Sequence, residues 1–453
     1  MDDFLSKPLE ELAGKSFNCE CNKTHKVDIK NILLGKGVVD KLEPMLEPFK
    51  GKDILLVSDI NTFELLGDKV SKIIEGQGNL FNFTFQEKHL KANERSIGTL
   101  LMELPAKLSL IVTIGSGTLN DISRYISYKM NVPYIIICTA PSMDGYASVV
   151  SPLIRNGIKK TYQGVYPYAI IADIAIMKMA PMHMLYAGLG DVLGKFTALC
   201  DWRLSKLLTG EYLCETIFKQ VEKAIDKCIE AAPKLKERDE EAIYTICESL
   251  ILSGLCIGMA NSSRPASGGE HLLAHSWEIV FMAEGRDGKF LHGNYVGAAL
   301  GVVLETYHLL ESIDIEEVYR SNIYKNLNKD KWESGISSLF SECYKDIILF
   351  KEKNICFNMV EREKNMENIK NNWKEIINIA KKAPKTKYIK AILEEAGSNF
   401  YPSDLGVNKE LLYKSIIGAK DIRNRYVIFQ LLEDIGMLDY IATEIVEGDL
   451  FSS

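Results

Sequence analysis

Between residues 28 and 180 the sequence alternates short apolar runs with longer amphipathic stretches. That alternation restricts the fold more than any other feature. Ile29–Leu34, Ile54–Ser58, Leu80–Phe85, Leu108–Ile114, Tyr134–Cys138 and Ala169–Ala172 read as strands. Val38–Phe49 (kinked at Pro44), Thr62–Glu75, Asn93–Leu104 and Leu119–Met130 read as the helices between them. Such alternation predicts a parallel sheet covered on both faces. Val149–Gly157 and Ile158–Tyr168 interrupt it and read as a β-hairpin or an extended excursion. After Met179-Ala-Pro181 strand candidates all but cease. Met182–Leu208, Leu213–Ala231, Asp239–Asn261, Gly269–Met282 and Gly293–Leu310 read as helices, as do Lys331–Tyr344, Asn365–Ala383, Lys387–Glu395, Lys409–Ile417 and Arg425–Asp434. The stretch 313–386, rich in Lys, Asn and Glu, reads as solvated helical surface.

Ligands of parallel sheets bind beyond the carboxyl ends of the strands. Three of those ends carry informative residues. Gly115-Ser116-Gly117-Thr118-Leu119 is a strand–turn–helix in which backbone amides can approach a diphosphate, with the helix dipole favouring its charge. It departs from the GxGxxG fingerprint, so a plain tight turn explains it as well. Asp121 follows, to cap the turn or to serve the ligand or the chemistry. Thr139, Ser142, Asp144 and Ser148 make a polar loop after a buried strand, either a turn or a ligand rim. Asp59 stands where an acidic residue accepts ribose hydroxyls, and equally where it would cap the helix near Thr62. The expected architecture is α/β: an N-terminal arm (1–27), a Rossmann-like dinucleotide-binding domain (28–180) and an all-α helical domain (181–453).

Three of the seven histidines fall within 22 residues, in Arg264-Pro-Ala-Ser-Gly-Gly-Glu-His271-Leu-Leu-Ala-His275-Ser-Trp-Glu278 and His292-Gly293. On a helix, His271 and His275 share one face. Twelve helical residues advance roughly 18 Å, and the nine that follow can span about 30 Å. His292 can therefore return to His271 and share one cation with it. The best third ligand is Asp191, a carboxylate among Gly188, Gly190 and Gly194 in an apolar run that leaves it needing a partner. The plainer alternative is a helix-capping Asp191 and ordinary core or surface histidines. Cys19-Glu-Cys21-Asn-Lys-Thr-His25 offers three ligands, but Cys-x-Cys is not the usual knuckle spacing, and a polar hairpin is the favoured reading.

The 453 residues are 47% apolar and 25% charged with a net charge of −7, as in ordinary globular proteins. That balance disfavours nucleic acid or an anionic membrane as partner. No run approaches about 18 uninterrupted apolar residues. The ten scattered cysteines, with no secretory apolar segment, point to a reducing, cytoplasmic setting.

Five segments in order carry a resemblance: Gly-Ser-Gly-Thr-Leu-Asn-Asp (115–121), Thr-Ala-Pro-Ser-Met-Asp-Gly-Tyr-Ala-Ser (139–148), Gly-Leu-Gly-Asp (188–191), Ser-Arg-Pro-Ala-Ser-Gly-Gly-Glu-His (263–271) and His-Gly-Asn-Tyr-Val-Gly (292–297). Over residues 28–310 the chain resembles the sn-glycerol-1-phosphate dehydrogenase family, its bacterial branch in particular, alongside glycerol dehydrogenase, iron-containing alcohol dehydrogenases and dehydroquinate synthase. The tail beyond about 310 is longer than the resemblance accounts for. The resemblance implies metal ligands at Asp191, His271 and His292. It implies NAD(P) contacts at Gly115–Leu119, Thr139, Ser142 and Ser148, and substrate contacts at Asp144, Asp191 and His275. It further implies a zinc or nickel ion, NAD(H) or NADP(H), reduction of dihydroxyacetone phosphate to sn-glycerol 1-phosphate for phospholipid synthesis, and a homo-oligomer. To this the residues add His275 as proton donor or relay, or as a positioning group, and Arg264 as phosphate partner or surface ion pair. A glycerol dehydrogenase, a dehydroquinate-synthase-like lyase and a nucleotide-binding protein without turnover are the other readings.

Overall fold

The described residues of the computed structural model are 5, 7–155, 158–286, 288–341, 343–351, 359–398 and 401–448. Gly157 of the expected hairpin, and residues 1–4 and 6 of the expected arm, lie outside them. Two strands, β1 (Ser16–Asn18) and β2 (Thr24–Lys26), form an antiparallel hairpin. The strands β3 (Asn31–Gly35), β4 (Asp53–Asp59), β5 (Asn79–Phe85), β6 (Leu108–Gly115) and β7 (Tyr134–Cys138) follow, then the hairpin β8 (Val150–Arg155) and β9 (Ile158–Gln163), then β10 (Ala169–Asp173). Six of them make one parallel sheet in the order β3-β10-β7-β6-β4-β5. Its inner strands are apolar without alternation because both faces are covered: Val112 and Ile114, and Leu110 and Ile111, are all buried.

The topology fixes where a ligand can sit. From β4 the chain steps out to the edge at β5, then returns to the opposite side of β4 as β6 and continues outward to β7. The winding reverses between β4 and β6. The crevice beyond that pair, between Asp59 and Gly115, is the binding position of an open parallel sheet. The expected Val38–Phe49 helix is instead three short pieces, Val38–Lys41, Leu42–Leu46 and Glu47–Phe49. Pro44 and Pro48 each lack the N–H that a continuous helix would need.

Compactness divides the chain differently from the expected boundary near 180. One unit comprises Met1–Val192 and Lys219–Ser263, the other Leu193–Phe218 and Arg264–Ser453. Strands end near 173, but the first unit recruits helical chain beyond that point to cover its sheet. The helix Glu240–Ala260 has the length and apolarity to cross a membrane, yet 72% of its most apolar window is buried inside the protein. It packs on Gly145–Ala147, and a side chain at Gly254 would meet the Asp144 carbonyl oxygen at 2.8 Å.

Every regular element among the described residues of the second unit is a helix. The expectation of a solvated surface over 313–386 is not met. Trp332, Ile336, Met366, Ile369 and Ile376 are buried. Trp332 Nε1 donates to Asp421 Oδ2 at 3.0 Å, and buried Lys420 bridges Asp421 and Glu433 at 2.8 Å each. Polar residues predominate there, so the narrow apolar stripe is diluted in the composition. The expected Arg425–Asp434 helix begins at Ile428, which leaves Arg423 and Arg425 in a non-helical link.

Candidate active site

In the first unit the candidate residues are arranged mainly by backbone turns. Gly115 ends β6, and a Cβ there would lie 2.6 Å from Leu119 Cβ, so only glycine lets the helix Gly117–Met130 start this close to the strand. The Thr139 amide donates to the Gly115 carbonyl at 3.2 Å, which sets the loop after β7 beside this turn. Ser142 is buried, and Ser148 exchanges local bonds with Val150. Asp59 is an N-cap: Oδ1 accepts from the amides of Asn61 and Thr62 at 2.9 Å each, within a capping box with Thr62. Of its two readings, capping is the one seen.

The 139–148 loop is held from below. Buried Arg124 donates to Asp121 at 2.7 Å, to the Val150 carbonyl at 2.9 Å and to the Gly145 carbonyl. Burial pushes the Asp121 carboxyl up to about 6, against the pull of Arg124. Asp121, expected as a catalytic group, is the ion-pair partner of the arginine that fixes the loop. Asp144 and Asp191 do come together. Asp191 is fully buried, and its Oδ2 accepts the Asp144 amide at 3.0 Å, while Asp144 Oδ2 accepts from Ser253 at 2.9 Å. Gly188, one turn before Asp191, makes this approach possible, because a Cβ there would collide with the Pro141 carbonyl.

In the second unit the candidate residues are a cluster of side chains. His271, His275 and His292 cluster, with ring centroids 5.2 Å apart for 271–292, 4.9 Å for 275–292 and 6.2 Å for 271–275. Each Nδ1 faces a carboxylate: His271 faces Glu270 at 2.8 Å, and His275 and His292 share Glu278 at 2.9 and 3.1 Å. A carboxylate accepts, so each Nδ1 carries the proton and each Nε2 keeps its lone pair. That is the tautomer a metal ligand needs. His275, Glu278 and His292 also place donor atoms within 4.8 Å of one another.

Glu270 is itself fixed. Burial would raise its carboxyl, but His271, the Thr197 hydroxyl at 2.6 Å and the Gly268 amide at 2.7 Å outweigh this and hold it below its ordinary value. Burial, with help from Arg423 and His292, drives His275 well below the ordinary imidazole range despite Glu278. Arg423 Nη2 stands 3.5 Å from His275 Nε2.

Arg264, offered by the sequence to a phosphate, is already engaged. Its guanidinium contacts Glu211 at 2.6 and 3.0 Å, the Tyr426 carbonyl at 2.8 Å and Ser205 at 3.1 Å. The sequence reading passed over Glu278, Glu270 and Arg423. Glu278 lies seven residues after His271 and three after His275, so helical spacing already put it on their face. Nothing in the pattern marked Arg423.

A parallel sheet with a glycine turn at its switch point, and a carboxylate-held histidine cluster on helices, define a class: a nicotinamide-dependent dehydrogenase of the iron-containing alcohol dehydrogenase type. A family model described as iron-containing alcohol dehydrogenase matches residues 33–181. The fold is shared with a glycerol dehydrogenase structure from Schizosaccharomyces pombe, with a TM-score of 0.57 at 14% identity over 91% of this chain and 90% of that one. In sequence the chain is 34% identical to a glycerol-1-phosphate dehydrogenase [NAD(P)+] of Halalkalibacterium halodurans, over 66% of this chain and 76% of the relative. It is 26% identical to the enzyme of that name from Geobacillus stearothermophilus, over 95% and 99%. The chain belongs to the glycerol-1-phosphate dehydrogenase family, and it is an NAD(P)-dependent oxidoreductase.

Proposed function

We propose that the chain reduces dihydroxyacetone phosphate to sn-glycerol 1-phosphate reversibly, with NADH or NADPH, and that Asp191, His271 and His292 hold a divalent zinc or nickel ion. The observation that carries the metal reading is the pairing of each imidazole Nδ1 with a carboxylate, which presents Nε2 lone pairs from neighbouring rings. Imidazole and carboxylate suit such ions. Bound there, the cation supplies Lewis-acid stabilisation of the charge that grows on the ketone oxygen.

The chain's own residues do the rest. The Gly115–Leu119 turn, with Thr139, Ser142 and Ser148, receives the dinucleotide at the switch point. A nicotinamide held there would supply hydride to the substrate carbonyl carbon, and the substrate oxygen would take a proton. His275 handles that proton at Nε2, whose lone pair accepts it in oxidation and, in reduction, relays one taken up from solvent, while Glu278 holds Nδ1. Asp144 orients the substrate hydroxyl.

The substrate phosphate goes to the 423–425 link. Arg423 Nη2 lies 3.5 Å from His275 Nε2, Arg425 Nη1 donates to the Ser267 carbonyl at 2.7 Å, and burial and the charges of Arg423 and Arg264 pull Arg425 below its ordinary value. Crowded guanidinium groups of this kind favour a bound anion, and Arg suits phosphate. Arg264, being already bonded, shapes this region rather than gripping the ligand.

The test is NADH oxidation by dihydroxyacetone phosphate after loading with Zn²⁺ or Ni²⁺, with a chelated control and with dihydroxyacetone and glycerol as unphosphorylated substrates. Metal-dependent turnover that prefers the phosphate ester is expected. Equal turnover of the unphosphorylated pair would assign a glycerol dehydrogenase instead.

A further inference from the structure

The first unit carries a second group of metal-ligating side chains that the dehydrogenase reaction does not use. We propose that Cys19, Cys21 and His25 hold a thiophilic divalent cation of the zinc class, which fastens the β1–β2 hairpin to the end of the Glu240–Ala260 helix.

The hairpin is small. Each strand has three residues, and Phe17 pairs with His25 across it. Two-stranded hairpins of this size are marginal in water unless something else holds them. The turn between the strands is tight: the Asn22 amide donates to the Cys19 carbonyl at 3.0 Å, Asn22 takes the left-handed conformation (φ 63°), and the Cys19 amide donates to the Lys23 carbonyl at 3.0 Å. This turn presents two cysteine thiols, and the returning strand presents His25.

His25 is set as a ligand would be. It is 1% exposed, and Nδ1 lies 2.9 Å from the Met259 carbonyl in the last turn of the Glu240–Ala260 helix. A carbonyl can only accept, so Nδ1 carries the proton and Nε2 is the bare nitrogen. This contact also satisfies a carbonyl at a helix end, where intrahelical partners run out. Nε2 points to Cys21 Sγ at 3.3 Å. Two ligands of a tetrahedral zinc, with Zn–S near 2.3 Å and Zn–N near 2.0 Å, stand about 3.5 Å apart. The donor atoms of Cys19, Cys21 and His25 all lie within 4.8 Å of one another. The Cys-x-Cys spacing that counted against a metal in the sequence matters less here, because a turn folds both thiols toward the histidine.

Metal binding at thiols deprotonates them and couples the cation to folding. Replacing the native metal by Co²⁺ should give a thiolate-to-cobalt charge-transfer band in the wild type. The band should persist in the His271→Ala/His292→Ala variant, which lacks the proposed active-site ligands. It should vanish in Cys21→Ser, with loss of about one metal equivalent per chain and a lower Tm. X-ray absorption on zinc-loaded wild type is the second measurement and needs no variant to fold: zinc–sulfur scattering near 2.3 Å is expected. The proposal is overturned if the wild type shows only nitrogen and oxygen scattering, or if the cobalt band survives both Cys19→Ser and Cys21→Ser.

Discussion

In the sheet unit, the groups that would face a dinucleotide are largely amides and carbonyls at strand ends. In the helical unit, the groups that would face metal and substrate are imidazoles, each held by a carboxylate, and guanidinium groups. A backbone site is fixed by what cannot be added, such as a Cβ at Gly115 or Gly188. A side-chain site is fixed by what cannot be removed, such as Glu278, which orients two histidines at once. Substitutions in the two units should therefore fail in different ways.

The sharpest break is expected at His275. His275→Ala should keep the active-site cation and lose about 10²–10⁴-fold in kcat, the usual worth of a positioned acid–base group. Metal analysis beside steady-state rates checks this, and wild-type turnover would remove the relay. Glu278→Gln should cost about 10–100-fold in metal affinity, read by titration with a competing chelator, because a neutral amide orients imidazoles less firmly. Arg423→Ala should raise KM for dihydroxyacetone phosphate about tenfold or more, as expected for a lost charge-assisted bond. Arg264→Ala should chiefly lower Tm, since it strands Glu211. An unchanged KM in Arg423→Ala, with a raised one in Arg264→Ala, would return the phosphate to Arg264.

In the sheet unit the expected signature is reversed. Gly115→Ala should weaken NADH binding about tenfold, by pushing the helix from the strand end, while metal content holds. At Asp121 the effect should fall on stability rather than on turnover. Its carboxyl is raised from 3.8 to about 6 by burial. The folded chain therefore keeps a proton that the unfolded chain releases, and stability from this site is present below about pH 4 and lost as pH rises through about 6. A two-unit shift is worth about 3 kcal/mol at most. Asp121→Asn cannot titrate, so its Tm should gain on the wild type between pH 4 and 7. A constant difference would contradict the raised pKa.

Legibility followed the same division. The six sheet strands could be read because burial on both faces writes unbroken apolar runs, as in Ile135-Ile136-Ile137. Gly115 and Gly188 were visible as residues, but the contacts that require them lie far along the chain or across a turn. The histidine cluster was visible through its spacing. Its carboxylates were overlooked although Glu270 adjoins His271 and Glu278 shares its face. The region beyond 310 was misread because its core is sparse in sequence: Trp332 and Met366 sit among Lys, Asn and Glu. Arg423 was invisible because an irregular link has no period, and the charged tail of a helix looks the same as a solvated one.

The most direct test of the account is the anomalous-scattering map of crystals grown with Ni²⁺ or Zn²⁺. It should place a metal peak within about 2.0–2.2 Å of Nε2 of His271, Nε2 of His292 and a carboxylate oxygen of Asp191. A loaded, active crystal form in which those three side chains share no metal would contradict it.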